Sequence, residues 1–154
     1  MQQGFEKIEA TAPAAEVPTI KVDYELTDSY GRVLPKTGNI EVEKTFIAGE
    51  LARFDGYFET PFGNFGFQGW LDKAQDLHKK IEKYVEIKSE LSKLEATQKK
   101  NAEEKRKREA RYRSHDEDKP LVEIWRIIKE TDTQVYILKT EQVKLEEQLK
   151  PYRI

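Results

Sequence analysis

The sequence predicts an α+β protein: a small N-terminal antiparallel β-sheet followed by a long two-helix coiled-coil-like arm. Three observations predict it. Between Thr19 and Gln68 short runs alternate apolar and polar residues, the period of a strand with one buried and one wet face. From Trp70 the apolar period lengthens to seven, with Trp70, Leu77, Tyr84 and Leu91 in one row. A second, cleaner heptad run occupies the C-terminal part of the chain. The expected division is a flexible tail at 1–18, an antiparallel β module at 19–68 and a helical arm at 69–154. Within the arm one helix is expected at 70–113, with a charged distal half, and another at 119–150.

The tail contains Pro13, Pro18 and few large side chains, too little burial to offset the entropy of ordering it. In the first strand Ile20, Val22, Tyr24 and Leu26 alternate with Lys21, Asp23 and Glu25. Turn residues at Thr27–Gly31 and at Pro35–Asn39 bracket a short strand at Arg32–Leu34. A second alternating run then places Ile40, Val42 and Phe46 on one face, so the expected sheet core is Ile20, Val22, Tyr24, Ile40, Val42 and Phe46. Connections this short require antiparallel pairing. Residues 54–70 hold seven aromatics interleaved with glycines, and Thr60–Asn64 reads as a hairpin turn between two further strands. These aromatics have two readings: a core joining sheet to helix, or an exposed partner surface involving Phe62, Phe65 and Phe67. The string from Phe65 to Trp70 partly overlaps the aromatic spacing of an RNA-stacking strand, but the basic opening and the intervening helix of that fold are missing.

After Gln98 the apolar row disappears, and 99–113 carries eight bases and three acids. Such a segment reads as a solvated helix or connector held by Glu-to-base pairs. Its rival reading is a phosphate-contacting arm using Lys105, Arg106, Lys107, Arg108 and Arg111. The second helix opens near Pro120 with Asp118 as a possible cap. Its seam runs Leu121, Ile124, Ile128, Thr131, Val135, Leu138, Gln142, Leu145, Leu149 and Tyr152 in alternating steps of three and four. Trp125, Ile127, Tyr136 and Ile137 widen the apolar face beyond it. An antiparallel hairpin would set this rich face against the charged 99–113 segment, an apparent waste. The preferred expectation is therefore that the widened face, with Ile128, packs on another protomer or a different protein.

Composition narrows the functional classes. Of 154 residues, 27 are basic and 29 acidic, so no net field points to nucleic acid or an anionic membrane. There is no cysteine, which removes disulfides, thiolate metal sites and cysteine nucleophiles together. No run is long and apolar enough for a membrane span, and the MQQGFEKIEA start lacks the apolar core of a signal peptide, so a cytoplasmic or otherwise soluble setting is expected. His78 reads as a solvated helix position and His115 as part of a charged turn, with no nucleophile or metal-ligand neighbour at useful spacing. No phosphate loop is present. Catalytic residues, cofactor and metal ligands are all expected to be none. The expectation is a non-enzymatic interaction or assembly protein, partnered by a protein or by itself, such as a structural subunit of a larger and even viral particle. A nucleic-acid-associated protein is the alternative.

Overall fold

The first strand, β1 (Lys21–Thr27), forms where the alternating run predicts it and ends in a turn built by one carboxylate. Oδ1 of Asp28 accepts from the backbone N–H groups of Tyr30 and Arg32, both at 2.9 Å, and Oδ2 accepts from Nε of Arg32 at 2.7 Å. Burial alone would raise the Asp28 carboxyl, but these donors outweigh it and hold it below the usual carboxylate range. The turn delivers β2 (Val33–Leu34) antiparallel to β1, with Leu26 opposite Leu34. The structure, a computed structural model, describes residues 19–112 and 119–154. The tail expected over 1–18, the cap at Asp118 and the end of the first helix at Arg113 lie outside them.

The hairpin predicted around Thr60–Asn64 is formed by β5 (Arg53–Thr60) and β6 (Gly63–Trp70). Between β2 and β5 in the chain lie β3 (Phe46–Ile47) and β4 (Glu50–Leu51), a separate two-stranded ribbon. The main sheet has the order β2-β1-β5-β6 and is antiparallel throughout. Its register sets Tyr24 opposite Gly56 and Leu26 opposite Phe54. Gly56 is required there: a Cβ would stand 2.4 Å from the Asp23 carbonyl oxygen and 2.6 Å from Tyr24 Cβ. Tyr24, Leu26, Phe54, Phe58 and Phe65 form the buried face. Tyr24 stacks on Phe54 and Phe54 on Phe58, with centroids 5.4 and 5.7 Å apart.

The second alternating run departs from the expectation. Ile40–Val42 is a single 3-10 turn, capped by the Asn39 side chain, and not a strand. Its hydrogen bonds are local instead, from Val42 N–H to the Asn39 carbonyl at 3.1 Å and from Glu43 N–H to the Ile40 carbonyl at 3.4 Å. Ile40 is still buried, but Val42 and Phe46 are 61% and 64% exposed, because the turn shifts the phase and buries Glu43 in their stead. Glu43 is satisfied by the Tyr24 hydroxyl and by the Thr37 backbone N–H at 3.0 Å. Val22 and Ile20, also expected in the core, are only half-buried.

The helix α1 (Leu71–Tyr112) begins one residue after the expected start. Trp70 is the last residue of β6 and 38% exposed, its ring covered by Arg53 at 5.0 Å, so the buried row starts at Leu71. Leu71, Ala74, Leu77, Ile81, Tyr84 and Val85 are buried, as the period requires. The chain divides into two compact units, Met1–Glu86 with Leu145–Ile154, and Ile87–Lys144. In the first, the last residues return to the sheet: Ile154 N–H donates to the Asn64 carbonyl at 3.0 Å, and Arg153 Nη2 donates to the Tyr84 hydroxyl at 3.2 Å.

In the second unit α1 pairs with α2 (Lys119–Leu149). Three contacts set an antiparallel register: Glu95 with Lys139 at 3.7 Å, Gln98 with Asp132 at 2.7 Å, and Asn101 with Thr131 at 3.3 Å. The charged half of α1 therefore does lie along the apolar seam, the arrangement that the sequence reading set aside. It works because Asn101, Glu104, Lys105 and Arg108 are half-buried, so long side chains lay their stems over apolar neighbours while their heads stay wet. Ile124, Thr131 and Val135 are buried by this packing.

Candidate functional site

Two places combine exposed or convergent groups in a way that packing alone does not require. The first is the outward face of α2. Val122, Trp125, Tyr136, Ile137 and Val143 are 55, 47, 72, 52 and 62% exposed. Val122, Tyr136 and Val143 are separated by multiples of seven, with Lys129 completing the row and Trp125 beside it. On a helix of 3.6 residues per turn this row sits about 140° round from the buried seam. Of the residues expected on a partner face, Trp125, Tyr136 and Ile137 are here. Ile127 and Ile128 are half-buried and flank the seam.

The aromatic run is placed differently. Phe65 is fully buried and meets Tyr84 edge-on at 6.4 Å, so it belongs to the core and presents no ring to a partner or a base. Phe67 is half-buried, 6.2 Å from Phe54 and 5.8 Å from Tyr152. Phe62, in the hairpin turn, is half-buried as well. The RNA-stacking geometry, which needs both ring faces open on a strand, is absent from this strand as described.

In the basic segment Arg108 Nε donates to Glu104 Oε1 at 2.9 Å, one turn apart. This bond, with Lys107 and Arg111 nearby, holds the Glu104 carboxyl below the usual range. Lys105 is half-buried, whereas Arg106, Lys107 and Arg111 are exposed. The segment is helical and partly self-neutralised.

The second place is a side-chain cluster in the first unit. His78 is buried, not solvated as expected: its Nδ1–H donates to Oε2 of Glu41 at 2.6 Å, and Oε1 of Glu82 lies 3.7 Å away. Phe58 stacks on the imidazole with centroids 5.8 Å apart and fixes its plane. A cleft of about 580 Å³ opens beside it, lined among others by Val22, Asn39, Ile40, Glu82 and Glu86.

No known family, curated protein or solved structure matches the chain. Val122 and Val143 escaped the sequence reading, although their spacing of seven through Lys129 and Tyr136 is visible in it. The spacing of His78, Glu82 and Glu86 along one helical face was equally legible, but Glu41 is 37 residues from His78 and is brought there by the fold alone.

Proposed function

We propose that the chain is a non-enzymatic assembly protein that self-associates through the outward face of α2. The observation that carries the reading is the row Val122, Lys129, Tyr136 and Val143, apolar at three of four positions, exposed, and repeated at the coiled-coil period. The row favours a second copy as occupant because it is self-complementary when reversed. In an antiparallel pair Val122 meets the other Val143, and each Lys129 lies over the other Tyr136, a cation–π contact worth about 0.5–1 kcal/mol when exposed. A two-fold interface of this kind uses one patch twice. Flanking charges are of both signs, with Arg126, Glu130 and Asp132 close by, so no single-sign field opposes pairing. Among the described residues no helix is long and apolar enough to cross a membrane, so the apolar row is not the lipid face of a span.

Light scattering across a concentration series tests the reading. The wild type is expected to reach twice its chain mass by about 100 µM, and the double variant Tyr136→Glu with Val143→Glu to stay at one chain with unchanged helical circular dichroism. A wild type that remains a single chain over that range overturns it.

A further inference from the structure

We propose that Glu41, His78 and Glu82 form a binding site for a divalent first-row transition cation of the Zn²⁺ class. One ligand atom from each residue lies within 4.8 Å of the other two. A tetrahedral Zn²⁺ with bonds of about 2.0–2.1 Å spaces its ligand atoms about 3.3 Å apart. The His78–Glu41 separation of 2.6 Å would open slightly and the His78–Glu82 separation of 3.7 Å would close slightly. Glutamate rotamers accommodate both movements. The imidazole would bind through Nδ1 as its Nε2–H tautomer, the metal replacing the proton now shared with Glu41.

The site is more organised than a surface ion pair. Glu41 sits in the 3-10 turn, where its backbone N–H is capped by the Asn39 side chain at 3.0 Å. On either side of it, the Ile40 and Glu43 carbonyls accept from Gln75 Nε2 at 2.9 and 3.1 Å. Gln75 lies on α1 about one turn before His78, so the same helix that supplies two ligands also clamps the turn that supplies the third. The His78 side chain is only 10% exposed and its ring is held by Phe58. Supported ligands lose little freedom on binding, which is the condition for affinity at a small site.

The donor set selects the metal. One imidazole nitrogen and two carboxylates suit Zn²⁺ and its neighbours, whereas Mg²⁺ and Ca²⁺ prefer all-oxygen shells, and the absence of thiolates disfavours Cu⁺. Two carboxylates also balance the charge of the ion. With three protein ligands a fourth position remains, and the cleft that His78 and Glu82 line would admit water to fill it. The bound ion would tie the 3-10 turn to α1, so occupancy would stabilise the first unit.

Calorimetric titration of the untagged full chain with Zn²⁺, with Mg²⁺ in parallel, tests the site. The expected result is uptake of one Zn²⁺ per chain with a raised melting temperature, and no response to Mg²⁺. Glu82→Gln and Glu41→Gln should each weaken Zn²⁺ binding at least about tenfold. Glu82 has a half-exposed side chain, so its variant reports on the metal without unfolding the protein. His115→Ala, which removes the one other histidine, should leave binding unchanged. With Co²⁺ as the probe, visible d–d bands should appear and be lost in His78→Gln. The proposal is overturned if Zn²⁺ is not taken up, if Glu82→Gln binds as tightly as the wild type, if His115→Ala abolishes binding, or if Mg²⁺ binds equally well.

Discussion

Tyr24 ties the fold to alkaline pH. Burial, reinforced by the Glu43 carboxylate that its hydroxyl donates to, pushes its pKa from 10.0 up to about 12. The unfolded chain releases this proton near pH 10 while the folded chain keeps it, so the folded state binds more protons between pH 10 and 12. Stability is then fully present below pH 10 and falls as pH rises through that window. Thermal melts at pH 9, 10 and 11 should show this fall, and Tyr24→Phe should make it shallower. An identical pH slope in the two proteins would count against the assignment. At the turn between β3 and β4, Ala48 and Gly49 both have positive φ, 52° and 82°. An L side chain without a local hydrogen bond is strained there, whereas Asn tolerates it and Asn-Gly is the preferred pair for such a hairpin. Ala48→Asn is expected to stabilise by about 0.5–1 kcal/mol in urea unfolding; no gain would mean that the turn relaxes in solution.

Among the elements, β1 shows how strand phase and burial separate. Alternation alone puts Val22 and Leu26 on the same face, and an aspartate at Val22 would then cost several kcal/mol as a buried charge. In the sheet Val22 is half-buried at the open cleft, while Leu26 is 1% exposed. Val22→Asp is accordingly expected to cost about 1 kcal/mol and Leu26→Asp at least about 3. Denaturant midpoints decide this, and equal costs would show that the cleft closes over Val22. The α2 helix teaches the complementary point. Its seam phase was readable because one face had to be buried against something, and Ile124, Thr131, Val135, Leu145 and Leu149 are buried accordingly, but nothing in α1's own pattern revealed that lysine and arginine stems would be the covering.

For the molecule taken whole, the near balance of 27 bases and 29 acids argues against phosphate tracking, and the Glu104–Arg108 pair removes part of the basic character of 99–112. Neutralising Lys105, Arg106, Lys107 and Arg108 together is expected to change nothing in binding to a short single strand or duplex at two salt concentrations, because the wild type should bind neither tightly. Tight wild-type binding that weakens with salt and disappears in the variant would replace the proposed self-assembly with nucleic-acid association.

What the sequence determined by itself was the α+β class, the hairpin at Thr60–Gly63, the strand at β1 and the phase of both helices. Each rests on a period or a turn signal confined to neighbouring residues, and local backbone geometry fixes the period. The tertiary structure alone decided three other matters. Residues 40–47 have the alternation of a strand, yet Ile40–Val42 bonds within its own 3-10 turn and Phe46–Ile47 pairs with Glu50–Leu51, so none of them joins the main sheet. Phe65 turned inward because pairing of β5 with β6 put it opposite Phe58 and against Tyr84, partners that its own neighbours do not announce. Glu41 reached His78 through the clamp that Gln75 places on the turn, a meeting of residues distant in the chain. Periodicity reports which face of an element is apolar, whereas the choice of what covers that face depends on edges, loop lengths and neighbours that exist only once the chain has folded.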